Sequence, residues 1–190
     1  MTFTALSSMI RTPYVHTYQL ARLFPSESPK TLTVQLTRFV GRGLLIRLKR
    51  GIYFFPERSI DELTLASVLY HPSYVSLETA LHVYGIIPDI PSTVTSITPT
   101  TSNTFITPRG TYTYSRIHTH LYFGYHIHTD ATNQLSYNLA EPEKALLDWM
   151  YMRTIRHLHT FRVDFSSLNR ERLTTFSKEY PSWVQEGLRV

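Results

Sequence analysis

The 190-residue chain of 22.1 kDa suits one large domain or two small ones, and its 42% apolar and 13% aromatic content excludes a disordered chain. It has no cysteine, which excludes a disulfide scaffold, a thiolate zinc site, an iron–sulfur cluster and a cysteine nucleophile. The formal charge of +5 is unevenly spread: residues 1–55 hold eight basic groups against one acid, Glu27, a net +7, whereas residues 56–190 hold eleven against thirteen, a net −2.

Such asymmetry predicts a basic module for a polyanion joined to a near-neutral module with another task. No apolar run approaches the ~20 residues that cross a bilayer. The opening Met1-Thr2-Phe3-Thr4 is not a basic head before a long apolar stretch, so a cytoplasmic location is expected.

A short helical pattern runs from Phe3 to Ile10 and breaks at Arg11-Thr12-Pro13. A second, with Tyr18, Leu20, Ala21, Leu23 and Phe24 as its apolar positions, ends at Pro25. Ser28-Pro29 is a strong start for a third, with serine as N-cap and proline at the first helical position. There Leu32, Leu36, Phe39 and Val40 form one buried stripe, and Lys30, Val34, Thr37 and Arg38 fall on the opposite face, flanked by Thr31 and Thr33, a face almost free of acids. After Gly41, Arg42 and Gly43 the chain reads as two strands around a turn at Lys49-Arg50-Gly51. Three helices and a hairpin are the parts of a winged helix-turn-helix over residues 1–57. Its third helix would read the major groove of double-stranded DNA. The hairpin's Arg47, Lys49 and Arg50 would sit against phosphates or in the minor groove, and Arg42 is a further DNA-binding candidate.

Residues 58–190 read as an α+β domain. Ser59-Ile60-Asp61-Glu62 has the form of a capping box, and Ser76 opens a helix that Gly85 closes. From Thr93 to Leu139 threonine, tyrosine, isoleucine and valine dominate. Breaks at Pro99, Pro108-Arg109-Gly110, Gly124 and Asp130 predict four or five strands of an antiparallel sheet. Pro142 starts an apolar helix, and Asn169 and Pro181 start two terminal ones.

Three blocks carry a family likeness: Gly43-Leu44-Leu45-Ile46-Arg47-Leu48-Lys49-Arg50-Gly51-Ile52-Tyr53; Ser73-Tyr74-Val75-Ser76-Leu77-Glu78-Thr79-Ala80-Leu81 through Tyr84-Gly85-Ile86-Ile87-Pro88; and Ala140-Glu141-Pro142-Glu143-Lys144-Ala145-Leu146-Leu147-Asp148. In this order they resemble AbiEi-type antitoxins over residues 1 to about 152. The third is the most particular, although Glu141 stands where the family pattern has a threonine cap. The resemblance implies a regulator of a type IV toxin–antitoxin system that represses its own promoter through the winged domain. It further implies that the C-terminal domain opposes a nucleotidyltransferase toxin of the AbiEii type without forming a stable complex. Glu78, Glu143, Lys144 and Asp148 are the candidates for that second task.

Enzyme chemistry is not expected. Lys144 and Asp148, spaced i, i+4, read as an ordinary surface pair, and Glu143 suits a first helical turn. An aspartate followed by acid-x-lysine would need an acid at Pro142, and no phosphate loop, nucleophile elbow or zincin helix occurs. His118/His120, His126/His128 and His157/His159 are three His-x-His pairs, and on strands two pairs could converge on one metal. The interposed aromatics read instead as a packed or partner-binding face, so neither a metal nor a cofactor is expected. A metal-dependent nuclease on that histidine-rich sheet, or a regulator sensing a small ligand, are the alternative readings.

Overall fold

Helix starts in the first third are set by side chains that accept from exposed N–H groups. Thr2 accepts from Ala5 at 3.2 Å and caps α1 (Phe3–Met9); Ser28 accepts from Thr31 at 3.1 Å and caps α3 (Pro29–Gly41). Between them lie β1 (Tyr14–His16) and α2 (Thr17–Leu23). The computed structural model describes residues 1–130 and 134–188.

The expected hairpin is β2 (Ile46–Lys49) and β3 (Ile52–Phe54), and Gly51 supplies the turn's positive φ of 85°. It gains an unpredicted partner, because β1 pairs antiparallel with β3 and gives the order β1-β3-β2. Leu32, Leu36 and Phe39 of α3 are buried as the stripe required, together with Leu6, Val15, Leu20, Leu45, Tyr53 and Phe55. Tyr18 departs from the reading: it lies two residues from buried Leu20, on the far side of α2, and is 73% exposed.

α4 (Glu62–Leu69) is capped by Asp61, not Ser59, since one carboxylate oxygen of Asp61 accepts from both Leu63 and Thr64 at 2.9 and 3.0 Å. The N-cap thereby falls two residues later than predicted, and Asp61 alone caps the helix without the predicted box. β4 (Tyr74–Val75) and α5 (Leu77–Val83) follow, with Gly85 at φ 68° beyond the helix. Then come β5 (Val94–Thr98), β6 (Asn103–Thr107), β7 (Gly110–Arg116), β8 (Tyr125–Thr129) and β9 (Ser136–Ala140). The predicted β region, 93–139, thus holds five strands, and its residues 131–133 lie outside those described.

The sheet is mixed, not antiparallel, in the order β6-β7-β5-β4-β9-β8. β7 folds back between β6 and β5 and so runs parallel to β5, and the short β4 enters the centre parallel to β9. α6 (Pro142–Arg153) packs on α5, and α7 (Arg170–Ser177) and α8 (Ser182–Gly187) pack on α6. Glu141 makes no side-chain cap for α6, as its departure from threonine suggested; its carboxylate pairs instead with Arg172.

β3 joins the two parts. Tyr53 and Phe55 face the core of the first third, while Ile52 and Phe54, on the other face, enter the larger core with Leu48, Leu65, Tyr74 and Leu146. Arg58 tightens this junction. Its guanidinium donates to the Ile10 and Thr12 carbonyls, both at 2.6 Å, and to the Ser7 carbonyl at 2.8 Å, and it lies 4.1 Å from the Phe55 ring centre.

Candidate nucleic-acid interface

α3 presents the face its sequence promised. Lys30, Thr31, Thr33, Val34, Thr37 and Arg38 are all exposed. The Thr33 and Thr37 hydroxyls donate to the carbonyls four residues earlier, Pro29 and Thr33, at 2.9 and 3.0 Å. This leaves their oxygens outward as acceptors. Arg42 at the helix end, Arg47 on β2 and Arg50 at the hairpin turn are exposed as well. The Gly51 carbonyl accepts from the Thr17 N–H at 2.9 Å, so the turn is tied to the start of α2.

Lys49 does not join them. Its ammonium donates to the Leu69 carbonyl at the end of α4 and lies 4.7 Å from the Phe105 ring centre. Partial burial there lowers its pKa. A lysine in this state ties the hairpin to the second part of the chain and is poorly placed to meet a phosphate. The sequence reading also missed half-buried His16 stacked on exposed Tyr18 at 5.0 Å, at the start of the helix that carries exposed Arg22. The signal was present in Tyr18 itself, which does not share a helical face with Leu20.

Elsewhere, three of the four candidates of the second part, Glu143, Lys144 and Asp148, are built into the interior, and Glu78 is half-buried. The expected surface pair Lys144–Asp148 is fully buried. One Asp148 oxygen accepts from Lys144 and from the Tyr180 hydroxyl at 2.7 Å; the other accepts from Tyr74 at 2.9 Å and Ser76 at 2.8 Å. Lys144 also donates to Tyr180 at 2.6 Å. Burial lowers the Lys144 pKa against the pull of Asp148, and burial followed by the Asp148 charge raises Tyr74 and Tyr180 well above the ordinary phenol. The physical reason is legible in retrospect: Ala145, Leu146, Leu147, Trp149 and Met150 surround the pair on α6, and a helix apolar on all sides has no surface face to offer it.

Glu143 is 2% exposed and accepts from the Asn169 N–H at 2.6 Å, fixing the start of α7. Glu78 receives two bonds from Arg153, at 2.6 and 3.0 Å, and one from the Trp149 indole at 3.1 Å. Burial alone would raise its carboxyl; the Arg153 fork outweighs that and holds it below the usual value. Glu78 and Arg153 border a shallow cleft of about 240 Å³ with Asp89 and Thr93.

The histidine pairs stay separate. His118 and His120 stack at 5.7 Å about the turn Thr119–Leu121, and His157 and His159 stand 5.6 Å apart about Leu158–Thr160. Of the three pairs, His126 and His128 alone lie on a strand, with their Nε2 atoms 2.6 Å apart. Among the described residues no group of three His, Asp or Glu side chains is placed to hold a metal ion. No helix there is long and apolar enough to cross a membrane. No family model matches the chain, and no curated protein matches it either.

Proposed function

We propose that the chain is a DNA-binding transcriptional autorepressor whose residues 1–57 act as a winged helix-turn-helix. The observation that carries this reading is the exposed, acid-free face of α3 beside exposed Arg42, Arg47 and Arg50, in the third of the chain that holds all the excess positive charge. The order helix, strand, helix, helix, hairpin supports it, since the extra strand β1 braces the hairpin that would serve as the wing. Threonines and Arg38 on α3 reach base edges, and the hairpin arginines neutralise phosphates.

The second part of the proposal rests on the AbiEi-type resemblance. In it, the chain is a cytoplasmic, non-catalytic antitoxin of a type IV system, and residues 58–190 oppose a nucleotidyltransferase toxin without a stable complex. The interior roles of Lys144, Asp148 and Glu143 fit residues that keep this domain folded; they do not offer a contact surface.

The test uses the full chain and its own upstream DNA. Binding should weaken steeply as salt rises, because bound basic groups release condensed counterions. Arg38→Ala should cost about 1–3 kcal/mol and relax sequence preference, while Arg50→Ala should weaken all duplexes alike and flatten the salt dependence. Absence of affinity for any duplex at low salt would sink the repressor reading. The antitoxin half fails if the chain does not relieve growth arrest by the toxin encoded beside it.

A further inference from the structure

We propose that β8 is the dimer edge of a shared metal site, in which His126 and His128 of two copies of this chain hold one divalent transition-metal ion of the zinc type. β8 is a terminal strand of the six-stranded sheet, so among the described residues of a single copy one side of its backbone has no strand partner. Which groups face outward follows from the hairpin's bonds. Asp130 N–H donates to Leu135 at 2.7 Å and Glu141 N–H donates to Gly124 at 2.8 Å, bracketing the register His126↔Leu139 and His128↔Tyr137. The even-numbered residues of β8 therefore bond inward to β9, and Tyr125, Ile127 and Thr129 point their N–H and C=O groups outward.

A second copy can continue the sheet only in a register that pairs these outward groups. An antiparallel pairing with a two-fold axis at Ile127 does so, setting Ile127 opposite its own copy and Tyr125 opposite Thr129. The same axis sets His126 of each copy opposite His128 of the other. Those are the non-hydrogen-bonded positions, where side chains come closest. All four imidazoles then stand on one face, and the two Ile127 side chains, each 72% exposed in the single copy, cover one another on the other face.

The two rings within one copy already aim at a common point. Their Nε2 atoms, 2.6 Å apart, cannot both carry a proton along the line between them. His128 is also stacked on Tyr137 at 5.6 Å, which fixes its plane. Zinc–nitrogen bonds of ~2.0–2.1 Å in a tetrahedron place ligand atoms about 3.4 Å apart, so the pair needs to open by less than about 1 Å. One copy supplies two donors, too few for a closed site; two copies supply the four that a tetrahedral ion takes.

Zinc chloride added to the full chain should double its sedimenting mass and saturate at one ion per two chains, and chelation should reverse both. Cobalt(II) in place of zinc should give the intense visible bands of a tetrahedral centre. The double variant His126→Asn with His128→Asn should lose the doubling, as should Ile127→Pro, which removes an outward N–H. His118→Asn with His120→Asn should retain it. A mass unchanged at saturating zinc, one ion bound per chain, or doubling that survives His126→Asn with His128→Asn overturns the proposal.

Discussion

Lys144 and Asp148 show how four neighbours make a buried charge pair tolerable. Moving two charges out of water costs more than their attraction returns unless the remaining lone pairs and protons are also matched. Here the hydroxyls of Tyr74, Ser76 and Tyr180 match the Asp148 oxygens, and the rings of Tyr74, Phe123 and Tyr180 lie within 5.1–5.5 Å of the Lys144 ammonium. The network ties β4, the start of α5, α6 and the segment before α8 to one carboxylate. Removing one charge strands the other, so Lys144→Met should lower the free energy of unfolding by about 3–5 kcal/mol. Replacing both, with Lys144→Met and Asp148→Leu, should recover part of that loss. Urea denaturation measures both; a single variant costing under about 1 kcal/mol would show that the pair is not held as described. If the proposed opposition to a toxin is lost in such variants, unfolding alone accounts for it, so an intact circular-dichroism spectrum is the control.

The hairpin formed by β2 and β3 serves two neighbours at once, and its residues divide accordingly. Arg47 and Arg50 remain outside, whereas Lys49 donates to Leu69 and Arg109, from the β6–β7 turn, lies 4.7 Å from the Phe54 ring centre. Arg50→Ala should therefore weaken DNA binding with little change in the melting temperature. Lys49→Ala should lower the melting temperature, with a smaller loss of DNA affinity than Arg50→Ala. Thermal melts beside a low-salt binding titration decide this, and the opposite ranking would return Lys49 to the DNA-contacting set. The sequence reveals much of this part of the molecule. Ser28-Pro29 fixes the start of α3, the spacing of Leu32, Leu36 and Phe39 fixes its inner face, and Gly51 fixes the turn. It does not reveal β1 or β4, which are three and two residues long and too short for any alternation to register. Nor does local pattern reveal that β5 pairs parallel with β7 and β4 with β9, because those neighbours are chosen by chain crossings. The side to which Lys49 turns depends on Leu69 and Phe105, residues distant in sequence.

The charge boundary near residue 56 is not a boundary in the packing. Ile52 and Phe54 lie in the larger core, Tyr53 and Phe55 lie in the smaller, and Arg58 grips the Ser7, Ile10 and Thr12 carbonyls across the junction. Loss of the larger core therefore removes one wall of the smaller, and the face proposed to bind DNA should melt with the part behind it. Alkaline pH provides a selective way to load the larger core. Burial raises Tyr84 and Tyr112 up to about 12, and holds Tyr74, Tyr114 and Tyr180 well above the ordinary phenol. Below the unfolded phenol value of 10.0 these groups are protonated in both states and stability is unaffected by them. Above it the unfolded chain releases protons that the folded chain keeps, so the unfolded state binds fewer protons and the free energy of unfolding falls as pH rises. The urea midpoint should be steady from about pH 8 to 9.5 and fall progressively from about pH 10 to 12, before the buried hydroxyls ionise in the folded state. Fluorescence from Trp149 and Trp183, both in the larger part, should track loss of helix signal from the whole chain in one transition. A midpoint that stays level to about pH 11.5, or a helix signal that outlasts the tryptophan change, would show that these tyrosines do not hold the two parts together.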